Sequence, residues 1–210
     1  LFRYVAAAAS AFLFPCMELR DYMACYLPQP ARSYVIPHMP PRAVPVFRRN
    51  PDRFVIGYAG NIRKRPITPI LKAMAVIATD ISERPPVLRL MTHQTEAALG
   101  EVKEHAAGNR VEWYPVGGYQ ESLEFEAGCD VLVLLEAPME RSVFLPSKLV
   151  DYAAVGRPIL AVGPVEGPVA GLLSSSGQRV FSFDQVDEIA MFLRSVRDES
   201  LIVDSRLRNL

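Results

Sequence analysis

The sequence contains few of the residues that bind metals or form disulfides. Three cysteines (Cys16, Cys25 and Cys129) and three histidines occur among its 210 residues. The cysteines lie far apart, with no CxxC pair and no grouping with histidine, so the sequence predicts no metal site. We expect three reduced, buried thiols in a cytosolic protein.

An excess of charge of one sign and a long hydrophobic run are also missing. The 23 Lys and Arg residues balance 23 Asp and Glu residues, so the chain lacks the basic bias of a nucleic-acid-binding protein. The apolar run over residues 5–17 is too short to span a bilayer and is interrupted by Pro15. It superficially resembles a signal peptide, but no initial Met precedes it. We therefore expect the chain to be the interior of a larger protein.

From residue 53 onward, short apolar segments alternate with helical ones. The predicted strands are 53–60, 86–93, 110–116, 130–136, 158–163 and 179–183. The predicted helices are 66–81, 95–107, 119–128, 147–155, 167–177 and 185–197. Continuously apolar strands indicate burial on both faces of a sheet, and the alternation predicts an α/β fold with a doubly wound, Rossmann-like parallel sheet. Ligands of such sheets bind beyond the carboxyl ends of the strands.

The first part of the chain does not fit this pattern. Residues 10–16 favour a strand and residues 17–27 a helix, whereas the proline-rich segment 33–45 has the composition of a linker. We therefore divide the chain into residues 1–45 and a Rossmann-like domain over residues 46–210.

The first candidate anion site follows the first strand of this domain. Gly60 permits a close backbone approach, and Asn61, Arg63 and Lys64 come before the next helix. Cations beside the N-terminus of a helix suit a phosphate, although a solvated basic loop has the same composition. Neither GxGxxG nor GxxxxGK[ST] is present, which argues against a dinucleotide fingerprint and a P-loop.

The second candidate lies at the start of the predicted helix 147–155. Ser147 is a suitable N-cap, and Gly156 stands where a helix commonly ends. Lys148 and Asp151 share a face of this helix. One interpretation is a capped surface helix with a weak ion pair. In the other, Lys148 and the helix N-terminus hold a phosphate while Asp151 accepts hydrogen bonds from sugar hydroxyls. The long preceding loop, 137–146, favours the second.

Other chemistry-bearing residues are scattered. His93 follows a strand end, where it could line a cleft, while His38 and His105 have no evident partner. The glycines of residues 115–119 let the backbone approach a flat ring such as a base, or form a plain turn. The sequence shows no Ser-His-Asp set and no pair of catalytic carboxylates, so no catalytic residue is assigned.

Four segments, in this order, resemble motifs of the GT-B glycosyltransferases, and of glycosyltransferase family 4 in particular. They are VIPHMP (35–40), IGYAGNIRKRPITPILKAM (56–74), VEWYPVGGYQESLEFEAGCDVLVLL (111–135) and PSKLVDYAAVGRPILAV (146–162). The resemblance extends over residues ~33–200. It implies that the chain is the C-terminal, donor-binding half of such an enzyme, with residues 1–45 as a remnant of the acceptor-binding domain and its linker.

The resemblance also implies a site for a nucleotide-diphosphate sugar. The residues that it matches to the donor diphosphate are Gly60, Asn61, Arg63, Lys64, Ser147 and Lys148. The residues that it matches to the nucleoside are Pro115, Val116, Gly117 and Asp151, of which Asp151 corresponds to a glutamate that binds ribose hydroxyls.

The chain departs from the family pattern at two points. The family has two glutamates eight residues apart, whereas this chain has Val143 at the first position and Asp151 at the second. Glu136 and Glu140, in the same loop, are the candidates to replace the first one. The usual Lys-Gly pair after the first strand is also missing.

The function implied is transfer of a sugar, such as a hexose, from a nucleotide-diphosphate donor to a saccharide or lipid-linked acceptor in polysaccharide or glycoconjugate synthesis. No cofactor, metal or nucleic acid is expected. The expected location is the cytoplasm, with peripheral attachment to the inner membrane through a missing N-terminal half, without which the chain could be inactive. The alternatives are a non-catalytic module that binds a nucleotide sugar or a protein, and a GT-B-fold nucleotide-sugar epimerase.

Overall fold

Six parallel strands form the central sheet of the chain. The computed structural model describes residues 2–28, 31–46, 50–80, 83–105 and 107–199. In chain order the strands of this sheet are β3 (Phe54–Ala59), β4 (Pro86–Met91), β5 (Val111–Tyr114), β6 (Val131–Leu135), β7 (Ile159–Val162) and β8 (Val180–Phe181). They lie side by side as β5-β4-β3-β6-β7-β8. The predicted α/β fold with a doubly wound parallel sheet is therefore confirmed.

The strands alternate their side chains between two hydrophobic layers. Phe54, Ile56 and Tyr58 of β3 point into one layer, while Val55 points into the other. β6 follows the same period of two, with Val131, Val133 and Leu135 on the first side. Because both faces are covered, these strands are apolar throughout, which is the pattern that made them recognisable in the sequence.

Six helices cover the two faces of this sheet. They are α3 (Thr68–Ile77), α4 (Glu96–Glu104), α5 (Tyr119–Ala127), α6 (Lys148–Val155), α7 (Pro168–Ser175) and α8 (Val186–Arg197). Buried residues of α3, α4 and α8 belong to the first layer, and those of α6 and α7 to the second. Each helix lies within its predicted segment; α3 is shorter than the predicted 66–81. No helix in the described ranges has the length and apolar character needed to cross a membrane.

The N-terminal part forms a separate two-stranded parallel sheet. Its elements are α1 (Phe2–Ala8), β1 (Phe12–Phe14), α2 (Met17–Met23) and β2 (Ser33–Val35). The sequence predicted β1 and α2 within 10–16 and 17–27 but not α1. The interpretation of 33–45 as wholly linker was wrong at its start, because Ser33–Val35 pairs with Phe12–Phe14 before the prolines begin. The proposed division after residue 45 remains a prediction.

Asp130 fixes the start of β6 against β3, the two strands at the centre of the sheet. Its Oδ2 accepts a hydrogen bond from the backbone N–H of Val55 at 2.8 Å. The same carboxylate accepts from Arg84 Nη2 at 2.7 Å. The contact fixes the amino-terminal ends of the two strands at which the strand order reverses, and the ligand site is expected at their opposite, carboxyl ends.

Candidate functional site

A cavity of about 570 Å³ lies beyond the carboxyl ends of β3, β4 and β5. Six of the ten residues matched to the donor line it, namely Gly60, Asn61, Arg63, Val116, Gly117 and Lys148. The wall is completed by Ala59, Met91, Thr92, His93, Thr95, Gly118, Tyr119 and Ser122. Lys64, Pro115, Ser147 and Asp151 are outside this lining. The fold thus brings the two candidate anion sites, far apart in sequence, to one cavity.

Gly60 brings the end of β3 close to Lys148. Its φ of +149° is one that side-chain-bearing residues rarely adopt. A Cβ at this position would lie 3.3 Å from Lys148 Cε and 3.3 Å from the Tyr58 hydroxyl. The glycine therefore permits both the turn and the close approach of the lysine side chain to the strand end.

The three cations of the basic turn after Gly60 have different positions: one stabilises the turn, one lines the cavity and one is exposed. The carbonyl of Asn61 accepts from the Tyr58 hydroxyl at 2.9 Å and from Arg65 Nη1 at 2.7 Å. The Asn61 side chain accepts from the Arg63 backbone N–H at 3.0 Å. Arg65 thus braces the turn, Arg63 lines the cavity, and Lys64 is exposed outside the lining.

The N-terminus of α3 is bound by a carboxylate from the same chain. Glu101 Oε2 accepts from both the backbone N–H and the hydroxyl of Thr68, each at 2.7 Å. A negative charge at this position satisfies the free donor and complements the helix dipole. The helix N-terminus that the sequence suggested for a phosphate therefore already has an anionic partner.

Lys148 forms the opposite wall of the cavity and is held from behind. Its Nζ lies 3.4 Å from Glu126 Oε1 and 3.4 Å from Ser122 Oγ, both on α5. Glu126 is 1% exposed, whereas the lysine side chain is 30% exposed. The sequence suggested Asp151 as partner of Lys148 and missed Glu126. The available signal was a glutamate between Leu123 and Ala127, on the buried face of α5.

The start of α6 differs from the predicted capped start. Ser147 already has helical backbone angles, φ −58° and ψ −30°, and its side chain makes no cap hydrogen bond. The N–H groups of Leu149 and Val150 instead bond to the carbonyls of Pro146 and Ser147. Ser147 thus stands at the predicted N-cap position, but its side chain does not cap the helix, because the turn begins at Pro146. The predicted end is confirmed, since Gly156 is left-handed at φ +71°.

Asp151 faces Tyr119 and is shielded from the cavity. The Tyr119 hydroxyl donates to Asp151 Oδ1 at 2.7 Å. Tyr119 is 58% exposed and lines the cavity, while Asp151 is 9% exposed and does not. This hydrogen bond to a carboxylate raises the pKa of Tyr119 to about 12, so the phenol remains a neutral donor.

The turn between β5 and α5 requires glycine for packing reasons. A Cβ on Gly117 would overlap the carboxylate of Glu121 and lie 3.0 Å from its Cβ. Glu121 Oε2 accepts from the backbone N–H of Gly118 at 2.6 Å, which fixes the start of α5. Val116 and Gly117 face the cavity, whereas Pro115 is exposed outside it.

Neither glutamate proposed to replace the missing family residue reaches the cavity lining. Glu136 is buried and accepts from Ser142 Oγ at 2.7 Å. Burial raises the pKa of this carboxyl, an effect that the hydrogen bond from Ser142 opposes. Glu140 is exposed. Val143, at the family position itself, contributes its carbonyl, which accepts from Cys16 Sγ at 3.4 Å.

His93 and His38 lie in different parts of the structure: one at the cavity and one at the loop after β6. His93 lines the cavity, as the sequence allowed. His38 has a partner that the sequence did not indicate, because its Nε2 lies 3.0 Å from the carbonyl of Leu145. Together with the Cys16 contact, this joins residues 1–45 to the loop after β6. Within the described residues, no group of three or more His, Cys, Asp or Glu side chains is arranged to bind a metal.

Solved structures with the same fold cover nearly the whole chain. One is the pneumococcal O-GlcNAc transferase GtfA, solved in complex with UDP and GlcNAc, at TM-score 0.69 and 12% identity over 99% of this chain. Another is WaaG, a glycosyltransferase involved in lipopolysaccharide biosynthesis, at 0.67 and 14% over 95%. A third is sucrose-phosphate synthase from Thermosynechococcus elongatus, at 0.66 and 15% over 99%.

The likeness is structural and covers about half of each larger protein. The chain spans 43% of GtfA, 55% of WaaG and 53% of the sucrose-phosphate synthase. No protein-family model and no curated protein matches the sequence. At such low identity the comparison establishes the architecture, which the chain has in common with GT-B glycosyltransferases.

Proposed function

We propose that the chain is the donor-binding part of a glycosyltransferase that uses a nucleotide-diphosphate sugar. The observation that carries the proposal is the convergence of Arg63 and Lys148 on one cavity at the carboxyl edge of the sheet, where ligands of doubly wound folds bind. The fold in common with GtfA, whose structure holds UDP and GlcNAc, supports the choice of a nucleotide-linked ligand.

In this proposal, the two cations bind the diphosphate. When the bond to the sugar breaks, negative charge develops on the departing diphosphate, and Arg63 and Lys148 stabilise it. Preorganised groups of this kind contribute ~3–4 kcal/mol each to lowering a barrier. The α3 N-terminus contributes little, because Glu101 occupies its first donor. Lys64 is a secondary cation at the rim.

The nucleoside would lie along the turn of Val116 and Gly117. Both residues line the cavity, and Tyr119 forms the adjacent wall. Asp151 is the proposed acceptor for the ribose hydroxyls, once the tyrosine hydroxyl has moved aside.

The finer parts of the proposal concern the whole enzyme. They are membership of glycosyltransferase family 4, transfer without a metal to a saccharide or lipid-linked acceptor, and a role in polysaccharide or glycoconjugate synthesis at the cytoplasmic side of a membrane. The exposed apolar side chains of the N-terminal segment, such as Tyr4, Leu13 and Tyr34, fit a surface completed by an acceptor-binding half.

Titration calorimetry with UDP, GDP and dTDP tests the donor site. We expect one of them to bind the 210-residue chain, and Lys148→Ala to weaken its binding by ~10-fold or more, since hydrogen bonds to charged groups contribute about 1.5–3 kcal/mol. Arg63→Ala removes an exposed side chain, so it tests the same site with little risk to folding.

Lys72→Ala is the matched control, because it removes the same charge from the exposed side of α3. Binding of none of the three nucleotides would contradict the donor site and favour a protein-binding module. Equal affinities for the wild type, Lys148→Ala and Arg63→Ala would place the nucleotide elsewhere.

A further inference from the structure

Glu126 is a buried carboxyl group directly behind the candidate anion site. Its Oε1 accepts from Ser122 Oγ at 3.1 Å and lies 3.4 Å from Lys148 Nζ. Its Oε2 is buried and has no hydrogen-bond partner among the described residues. A buried carboxylate with one charged partner is costly, because removal from water disfavours its ionised form.

Lys148 stands between this carboxyl group and the cavity. The lysine and Ser122 line the cavity, whereas Glu126 does not. An anion in the cavity would therefore contact the Lys148 ammonium on its cavity side, while Glu126 contacts the same ammonium from the protein interior. The two negative groups would share one ammonium at short range.

Among the described residues, few groups other than Lys148 and Ser122 stabilise the negative charge of Glu126. The groups that interact electrostatically with it lie on α5, the turn after it and α6, and they are Tyr119, Ser122, Cys129, Lys148, Asp151 and Tyr152. Of these described residues, Lys148 is the cation, and Asp151 is a second carboxyl group. Burial raises the pKa of Glu126 above its ordinary value, Lys148 and Ser122 lower it, and Asp151 raises it.

We propose that Glu126 positions the Lys148 ammonium at the cavity wall, and that it takes up a proton from solvent when a diphosphate binds there. The inference rests on the proposed donor site. A diphosphate near Lys148 brings negative charge towards Glu126 and draws on its counter-ion, and both effects favour the protonated carboxyl group. Protonation removes the repulsion between the carboxylate and the incoming anion while the lysine keeps its charge.

Proton uptake on binding makes the nucleotide affinity depend on pH in one direction. Because the complex holds more protons than the free chain, binding tightens as the pH falls through the range between the Glu126 pKa values of the complex and the free chain. Without Glu126 this part of the pH dependence disappears. A glutamate that merely filled space would give no proton uptake.

Titration calorimetry in buffers of different ionisation enthalpy counts the protons. The tightest of UDP, GDP and dTDP is titrated into the 210-residue wild type, Glu126→Gln and Glu124→Gln at several pH values. Glu124 is exposed on the same helix, so its variant is the matched control. We expect the wild type and Glu124→Gln to take up more protons than Glu126→Gln, by up to about one per nucleotide. Titration of the nucleotide itself is common to all three and cancels.

The outcomes separate this inference from the donor site. Nucleotide binding with the same proton count in the wild type and Glu126→Gln overturns the role of Glu126 and leaves the donor site intact. No nucleotide binding by the wild type overturns both. If Glu126→Gln does not fold, carbon NMR of the glutamate carboxyls in the wild type decides, and an unchanged Glu126 pKa on addition of nucleotide overturns the inference.

Discussion

Replacement of Tyr119 by Phe should strengthen nucleotide binding. The Tyr119 hydroxyl donates to Asp151 Oδ1 at 2.7 Å, and Tyr119 lines the cavity whereas Asp151 does not. If ribose hydroxyls bind Asp151, as proposed, they must first displace the tyrosine hydroxyl. Phe keeps the ring and removes the competitor, so the cost of breaking this hydrogen bond disappears from the binding free energy.

The size of the effect follows from the exposure of the side chain. A hydrogen bond to a charged group contributes about 1.5–3 kcal/mol, but solvent reduces this value at an exposed position. Tyr119 is 58% exposed, and its freed hydroxyl can bond to water. A gain of ~0.5–1 kcal/mol, or about 2–5-fold in affinity, is therefore expected. Because the Tyr119 pKa is about 12, the gain should not vary near neutral pH.

The assay compares UDP with inorganic pyrophosphate, which has no ribose. Calorimetric titration should give tighter UDP binding for Tyr119→Phe and unchanged pyrophosphate binding. Tyr34→Phe, which alters an exposed tyrosine of the N-terminal sheet, is the control. Weaker UDP binding would mean that the hydroxyl contacts the ligand itself. An equal change for both ligands would mean that Tyr119 acts on the phosphate site, and either result refutes the displacement argument.

Two further predictions concern stability. A Cβ added to Gly57 would overlap Cys129 Sγ and lie 3.1 Å from Cys129 Cβ, so Gly57→Ala should cost about 1–3 kcal/mol of unfolding free energy. In urea unfolding, Cys129→Ala should recover part of this loss, and strictly additive effects would contradict the contact. Burial raises the Glu136 pKa, so its contribution to stability is full below the ordinary carboxyl pKa and is lost as the pH rises through the raised value. The unfolding free energy of the wild type relative to that of Glu136→Gln should therefore fall from acid to neutral pH. A difference that stays constant with pH would contradict the raised pKa of Glu136.

The sheet was predictable because burial on both faces leaves a direct mark in the sequence. β3 and β6 are apolar at every position or nearly so, and all six strands lie within predicted segments. β2 was missed because its three residues immediately precede a proline-rich stretch and gain their order from pairing with β1. A strand of that length has too little pattern of its own.

The site was less predictable because its details depend on pairings across elements. The cations of the basic turn and Lys148 were recognisable in the sequence. Which of them face the cavity was not, because it depends on the hydrogen bond from Arg65 to the Asn61 carbonyl within the turn. Ser147 has the chemistry of a cap, yet Pro146 already starts the turn one residue earlier. Glu126 and Tyr119 acquire their roles from α6, which lies more than twenty residues away in sequence.

The loop after β6 holds the N-terminal segment through its backbone. Ser142 fixes this loop by its bond to Glu136, and Gly167 has no room for a Cβ, which would lie 2.5 Å from the Ser142 carbonyl oxygen. The carbonyl of Val143 then accepts a hydrogen bond from Cys16 Sγ, and the carbonyl of Leu145 accepts one from His38 Nε2. Since carbonyls are the same in every residue, the attachment does not depend on which side chain stands at position 143. The junction therefore leaves position 143 free to carry another side chain, because its contact with Cys16 uses the backbone carbonyl alone.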